Sequence, residues 1–299
     1  MEVFTQLLTA AIASGTPLLF VTLGGILIER SGIIQLGAEG LMLMGAVTAA
    51  GTYLATGNLV LALLAVLLVT GALGMLHAFL TVTLRANQIV SGLALTLFGS
   101  GLSAYLGKAF TGIPVAGAIA KFDLGVLGTV DGFALASLGL VLVLQLAFFH
   151  TSWGLHLRAV GDNPATADVM GIRVQAVRYF CVVGGSMLMG LGGANLLLVF
   201  SPTWIEGMTT GRGWIAIALV IFARWNPLGA LAACWFFGFL DTLGFRLQLA
   251  GSKIPTYFLN MLPYVLTIAV LIVVGWRTKH KMAKGPQALG VPYIREQRF

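Results

Sequence analysis

Between Val3 and Ile28 the chain carries no ionisable side chain, and uncharged apolar runs of similar length recur almost to its end. A helix that crosses a bilayer needs about 20 apolar residues, so each run is long enough to do so. With 58% hydrophobic and 9% charged residues among 299, and a mean hydropathy of +0.96, no water-soluble fold of this size could bury the apolar surface. The runs are continuously apolar, without the alternation of a lipid-facing barrel strand, so the spans are helices. The expected fold class is all-α, a polytopic helical membrane protein.

Several function classes fall away on the same residues. Cys181 and Cys234 both lie inside apolar runs, which excludes a disulfide framework and metal-type spacing. A nucleotide-cradling loop of the Walker type ends in Gly-Lys-Ser/Thr; here Gly107-Lys108 is followed by Ala109. The formal charge of +7 comes from bases placed between apolar runs and near the carboxyl end, where they orient a membrane protein and imply no nucleic acid. His77, His150, His156 and His280 are far apart in sequence and have no paired carboxylates, so the expectation is a chain without catalytic residues or a bound metal.

Polar punctuation divides the chain into about nine spans: 7–28, 33–56, 59–84, 88–107, 132–150, 177–200, 213–225, 228–250 and 257–275. Twelve of the 17 bases, among them Arg30, Arg85, Arg158, Arg173, Arg178, Arg224 and Arg277, fall on alternate sides that share the 151–178 loop. The positive-inside rule then puts the amino terminus outside and the carboxyl terminus in the cytoplasm. Residues 1–276 form a transmembrane domain, with 151–178 a cytoplasmic loop and 277–299 a basic cytoplasmic tail. The 213–225 run is short, about 20 Å as a helix, and crosses only if part of 201–212 extends it or other helices surround it.

The 151–178 loop holds the most legible local signal. Asn163 suits an N-cap, Pro164 the first helical position and Gly171 the left-handed position past a C-cap. They bracket a helix of about seven residues, which is marginal in water unless it packs on something. Ala165, Val169 and Met170 give it a shallow apolar face, and Asp162, Asp168 and Arg173 lie beside it. It is either an ordinary capped turn or a knob for a cytoplasmic partner.

The stretch from Gly154 through Gly161, Asp162, Asn163, Pro164, Ala165, Ala167, Met170 and Gly171, on through Tyr179 to Asn195, resembles the coupling segment of bacterial ABC importer permeases. The group concerned imports branched-chain amino acids, simple sugars and nucleosides. Glu29-Arg-Ser-Gly-Ile-Ile-Gln-Leu-Gly-Ala-Glu39 is similar to the second-span motif of its nucleoside and sugar branch, and so are Asn87 to Leu95, Glu206 to Ala218 and Arg224 to Ala230. Gln88 departs from the pattern, which more often has an acidic residue there. The resemblance implies a subunit of the bacterial inner membrane that forms the pathway for a nucleoside or related purine or pyrimidine ligand. It also implies a second permease subunit, an ATP-binding subunit that carries the ATP and Mg, and a substrate-binding lipoprotein or periplasmic protein. The Asn163–Gly171 helix would seat in the ATP-binding subunit. Ribose-like sugars, branched-chain amino acids, and an ion-coupled carrier using Glu39 and Asp241 are the alternatives.

Polar residues inside spans are the candidates for the pathway, because an uncompensated charge at the bilayer centre costs about 2.5–3.5 kcal/mol on insertion scales. Glu39, with Gln35 one turn earlier, faces a cavity or pairs with a base such as Arg30 or Arg85. Asn87 and Ser91 share a helix face, with Thr96 deeper; Asn195, Asp241 and Arg246 lie in later spans. Each contacts substrate or bonds another helix. Glu206, Arg212 and Trp214 form an external loop or an outer gate.

Overall fold

The computed structural model of the protein describes residues 2–115, 119–123, 129–249 and 285–295, with Phe258, Met261, Val265, Ile268 and Ile272. Its helices are α1 (Glu2–Arg30), α2 (Ala38–Thr56), α3 (Leu59–Ala78), α4 (Gln88–Gly107), α5 (Gly132–His150), α6 (Ser152–Asp162), α7 (Pro164–Val169), α8 (Val174–Asn195), α9 (Arg212–Phe222) and α10 (Pro227–Leu249). Helices α3 and α8 each continue into a wider π-helical turn, Phe79–Thr83 and Leu196–Phe200. A two-stranded antiparallel ribbon, β1 (Lys121–Asp123) and β2 (Thr129–Asp131), precedes α5.

Among the described residues, six helical stretches are long and apolar enough to cross a membrane: Thr5–Arg30, Leu59–Thr83, Gln88–Phe110, Gly132–His150, Val174–Phe200 and Pro227–Gln248. The chain is therefore a multi-pass helical membrane protein. Most of the 257–275 run lies outside the described residues. Helix starts follow local capping chemistry: the side chains of Asn58, Asn87 and Asp131 each accept from the first free backbone N–H groups of α3, α4 and α5.

Helix α1 is the axis of the bundle. Some 94% of its apolar stretch is buried, against 28% for α3 and 22% for α4, whose outer faces carry exposed Leu64, Leu68, Leu97 and Phe98. It packs chiefly on α8 and α10, while α2 is wedged among α3, α4 and α8. Enclosure by protein explains how α2 tolerates Glu39, Thr48 and Thr52. Backbones touch where these helices cross. A Cβ at Gly45 would overlap the Gly190 carbonyl oxygen, and one at Gly99 would lie 2.6 Å from the Gly40 carbonyl oxygen. Lipid supplies no hydrophobic drive for helix association, so close packing through small residues holds the bundle together.

Two expectations are corrected here. The second span begins at Ala38, because 33–37 is not helical. Residues 152–162, read as loop, form helix α6, which is amphipathic and buries Leu157 and Val160.

Candidate functional site

Arg30, Trp225, helices α6 and α7, and residues 285–295 gather at one end of the bundle. Helix α7 is capped at both ends as its sequence predicts. The Asn163 side chain accepts from Thr166 N at 3.0 Å, Pro164 opens the helix, and Gly171 takes φ +84°. Gly171 N donates to Asp168 O and Ile172 N to Ala167 O, at 2.9 and 3.0 Å, the paired bonds that close a helix on a left-handed residue. Ala167 is buried between Val160 and Val174, whereas Ala165 is exposed and Val169 and Met170 are 86% and 77% exposed. The result is a six-residue helix clamped at its base, with an apolar tip pointing away from the protein.

Residues 161–171 thus divide by task. Asp162, Ala165, Val169, Met170 and Gly171 are at the surface. Gly161 is not: a Cβ there would overlap the Arg30 carbonyl oxygen, so its role is close packing of α6 on the end of α1. Asp168 is ion-paired to Arg295 at 3.1 Å. Its hydrogen bond to Tyr293, after burial, raises the phenol above its ordinary pKa.

The polar residues singled out around the second span converge on one feature, the extended lead-in at 33–37. Inside a membrane protein, non-helical backbone persists only where protein groups satisfy it. Ile34 N donates to Gln88 Oε1 at 2.8 Å, and Leu36 O accepts from Thr96 Oγ1 at 2.8 Å. Gly37 N donates to Gln35 Oε1 at 3.1 Å, and Ile34 O accepts from His77 Nε2 at 3.3 Å. A carbonyl can only accept, so His77 carries a proton on Nε2, and in the neutral ring Nδ1 accepts from Ser91 Oγ at 2.8 Å. Gln88 and Thr96 are eight residues apart, about 12 Å along α4. The lead-in runs alongside this part of α4 before α2 starts. His77 and Ser91 also lie at the base of an open cleft of about 220 Å³ between α3 and α4, lined by Leu76, Leu80, Ala94, Leu95 and Phe98.

Glu39 pairs with neither Arg30 nor Arg85. Its Oε1 accepts from Thr209 Oγ1 at 2.5 Å and Gly211 N at 2.9 Å, and its Oε2 from Gly213 N at 2.7 Å. A carboxylate on the first turn of α2 therefore caps the amino-terminal end of α9, where free N–H groups and the helix dipole favour an anion. Helix α9 rises only about 16 Å, and 201–211 leads into it, with Trp204 and Thr209 buried. Alongside, Asp241 accepts from Ser14 Oγ at 2.7 Å and pairs with Arg212 at 3.1 Å, and Arg212 stacks over Phe200.

The remaining candidates do not join either group. Asn87 is the exposed cap of α4, its side chain accepting from Ile89 N and Val90 N, while Ser91 is buried against His77. Trp214 is 42% exposed on α9. Asn195, at the start of the π-helical turn, is 1% exposed with neither amide atom partnered by protein. His77 and Gln88 are the site residues that sequence reading missed as ligands of the backbone. A lone histidine in the apolar run before Arg85 and a glutamine just inside a helix start were the available signals.

The chain is a multi-pass membrane bundle of close-packed helices with a capped, apolar-tipped helix at one end. The family model for the branched-chain amino acid transport system permease component matches residues 7–274, and the chain belongs to that family. It is similar to a guanosine ABC transporter permease of Bacillus subtilis, 34% identical over 100% of this chain and 99% of that one. It is also 34% identical to a nucleoside ABC transporter permease of Lactococcus lactis over 94% of each chain. A Haloferax volcanii protein described provisionally as a glucose ABC transporter permease is 37% identical over 99% of both chains. No solved structure shows a significant match.

Proposed function

We propose that the chain forms the membrane pathway of an ATP-driven importer and that α7 seats in a cleft of a separate ATP-binding subunit. The observation that carries this reading is the α7 tip. Val169 and Met170 stand almost fully exposed on a helix fixed at both ends, although a lone exposed helix of six residues gains nothing by itself. Rigid capping below and apolar surface above suit a knob pressed by a moving partner. Closure of the ATP-binding subunits around ATP and Mg would shift α7 and bias the permease between its two facings, a switch set by differential contacts.

In this reading the end that carries α7 is cytoplasmic and the amino terminus lies outside the bacterial inner membrane. Nine crossings follow if α2, α9 with its 201–211 approach, and the 257–275 run join the six long helices. A second permease subunit completes the pathway, and a lipoprotein or periplasmic protein delivers substrate. The cargo is a nucleoside, in keeping with the guanosine and nucleoside permeases among its relatives. The provisionally described glucose permease favours a second reading, a simple sugar.

The test is uptake by vesicles holding the full complex. Labelled guanosine uptake should be competed by nucleosides and not by glucose or ribose; the reverse pattern assigns a sugar. Ala165→Trp, which enlarges the tip, should abolish uptake and substrate-stimulated ATP hydrolysis while the protein still inserts. Normal uptake in that variant removes α7 from the mechanism.

A further inference from the structure

Residues 285–295 cross the end of the bundle that carries α7, and they are stitched to almost every element there. Gly285 lies against the Trp225 ring, 2.6 Å from where its Cβ would stand. Ala288, itself buried, donates its N–H to Gly161 O at 2.9 Å, and Gly290 N donates to Gly32 O at 3.0 Å. Arg178, 1% exposed, reaches Ser31 O with Nε at 3.2 Å and Val291 O with Nη1 at 3.5 Å, so one guanidinium holds both strands of the crossing together. Tyr293 packs on the Val160, Ala167 and Val174 cluster, and Arg295 pairs with Asp168 on α7.

The glycines make this crossing possible. A Cβ at Gly32 would stand 3.2 Å from the Ala288 carbonyl oxygen. At Gly290, φ is +80° and a Cβ would stand 2.8 Å from Ile34 Cδ1. Both glycines take left-handed φ, +89° at Gly32 and +80° at Gly290, which a side chain would strain, and the crossing is tight at Gly32.

The placement matters because α7 is poorly connected otherwise. It buries only Ala167, and its substantial packing is on α6 and α8 alone. Within that packing only α8 reaches the 33–37 lead-in, through one long bond from Gln35 Nε2 to Ser186 Oγ at 3.5 Å; the other side-chain bonds of the lead-in to neighbouring helices come from α3 and α4. The 285–295 segment touches both: Asp168 and Ala167 on one side, Gly32 and Ile34 on the other.

We propose that residues 285–295 are the tie that transmits displacement of α7 to the 31–37 segment, and through it to α2 and α9. Gly290, Tyr293 and Arg295 are its positioning residues. The proposal rests on the reading of α7 as the helix that docks the ATP-binding subunit.

The experiment uses vesicles with the full complex, and Ala165→Cys in each background reports docking by crosslinking to the ATP-binding subunit. Three alterations break the tie: Gly290→Val, the Tyr293→Ala/Arg295→Ala pair, and truncation after Lys284. Each should leave the crosslink and the basal ATP hydrolysis intact. Uptake and its stimulation of hydrolysis should fall about tenfold, the size of a typical coupling between sites. Arg295→Asp should lower uptake, and adding Asp168→Arg should restore part of it, which general misfolding would not do. If the truncated chain fails to accumulate, the Gly290 and charge-exchange variants decide. Uptake unchanged in crosslinked, tie-broken complexes overturns the proposal. Absence of the crosslink with the tie intact overturns the docking reading instead.

Discussion

Replacing Glu39 by Gln should unseat α9. The carboxylate accepts three hydrogen bonds, from Thr209 Oγ1 and Gly211 N on one oxygen and Gly213 N on the other. A glutamine retains one acceptor and turns an NH₂ donor against the remaining donor or donors. A hydrogen bond to a charged group contributes about 1.5–3 kcal/mol, and an anion at a partly buried helix start adds up to about 2 kcal/mol. Glu39→Gln should therefore cost about 2–4 kcal/mol, or roughly 5–10 °C in unfolding temperature on the scaling for large domains. Glu39→Asp, too short to span both oxygens' partners, should fall between. Fluorescence-detected size exclusion of the heated, detergent-solubilised protein reads the shift. Were Glu39 instead a substrate contact with no capping duty, Glu39→Gln would unfold with the parent and change only the affinity of uptake. That pair of results would refute the capping argument.

Three further outcomes follow from the same geometry. Asn163→Ala removes the bond to Thr166 N and should cost α7 about 1 kcal/mol, lowering substrate-stimulated ATP hydrolysis several-fold with no change in unfolding temperature. Gly45→Ala forces α2 off the Gly190 backbone and should destabilise by about 1–3 kcal/mol; Gly101→Ala, with nothing within 4 Å, should stabilise α4 slightly. The opposite signs are read in one melting series. His77→Phe strands Ile34 O and should cost about 1–3 kcal/mol in the same assay, with His77→Gln recovering part.

The parts of this fold that depend on neighbours in sequence were legible. The starts of α3, α4 and α5 fall where Asn58, Asn87 and Asp131 offer capping side chains, and α7 lies between Asn163 and Gly171 as its local chemistry requires. What escaped reading is what distant residues supply. Ile33 to Leu36 look like the start of a helix, and only Gln88, Thr96 and His77, remote in sequence, make an extended path tenable there. Glu39 stood out in the sequence as a charge inside an apolar run, and it is half-buried in the structure. Its partners, however, are backbone N–H groups about 170 residues away, which no charge pattern announces. Helix α6 was missed because two of the four residues on its buried stripe, Gly154, Leu157, Val160 and Gly161, are glycines, which leave little apolar pattern to read.

The account stands on force entering through α7. Val169→Cys, on the exposed tip, should crosslink to the ATP-binding subunit in membranes of cells that make the whole complex, and trapping the nucleotide after hydrolysis should change the yield. A tip that labels only from the outer side of the membrane, or that never meets a nucleotide-hydrolysing subunit, would contradict it.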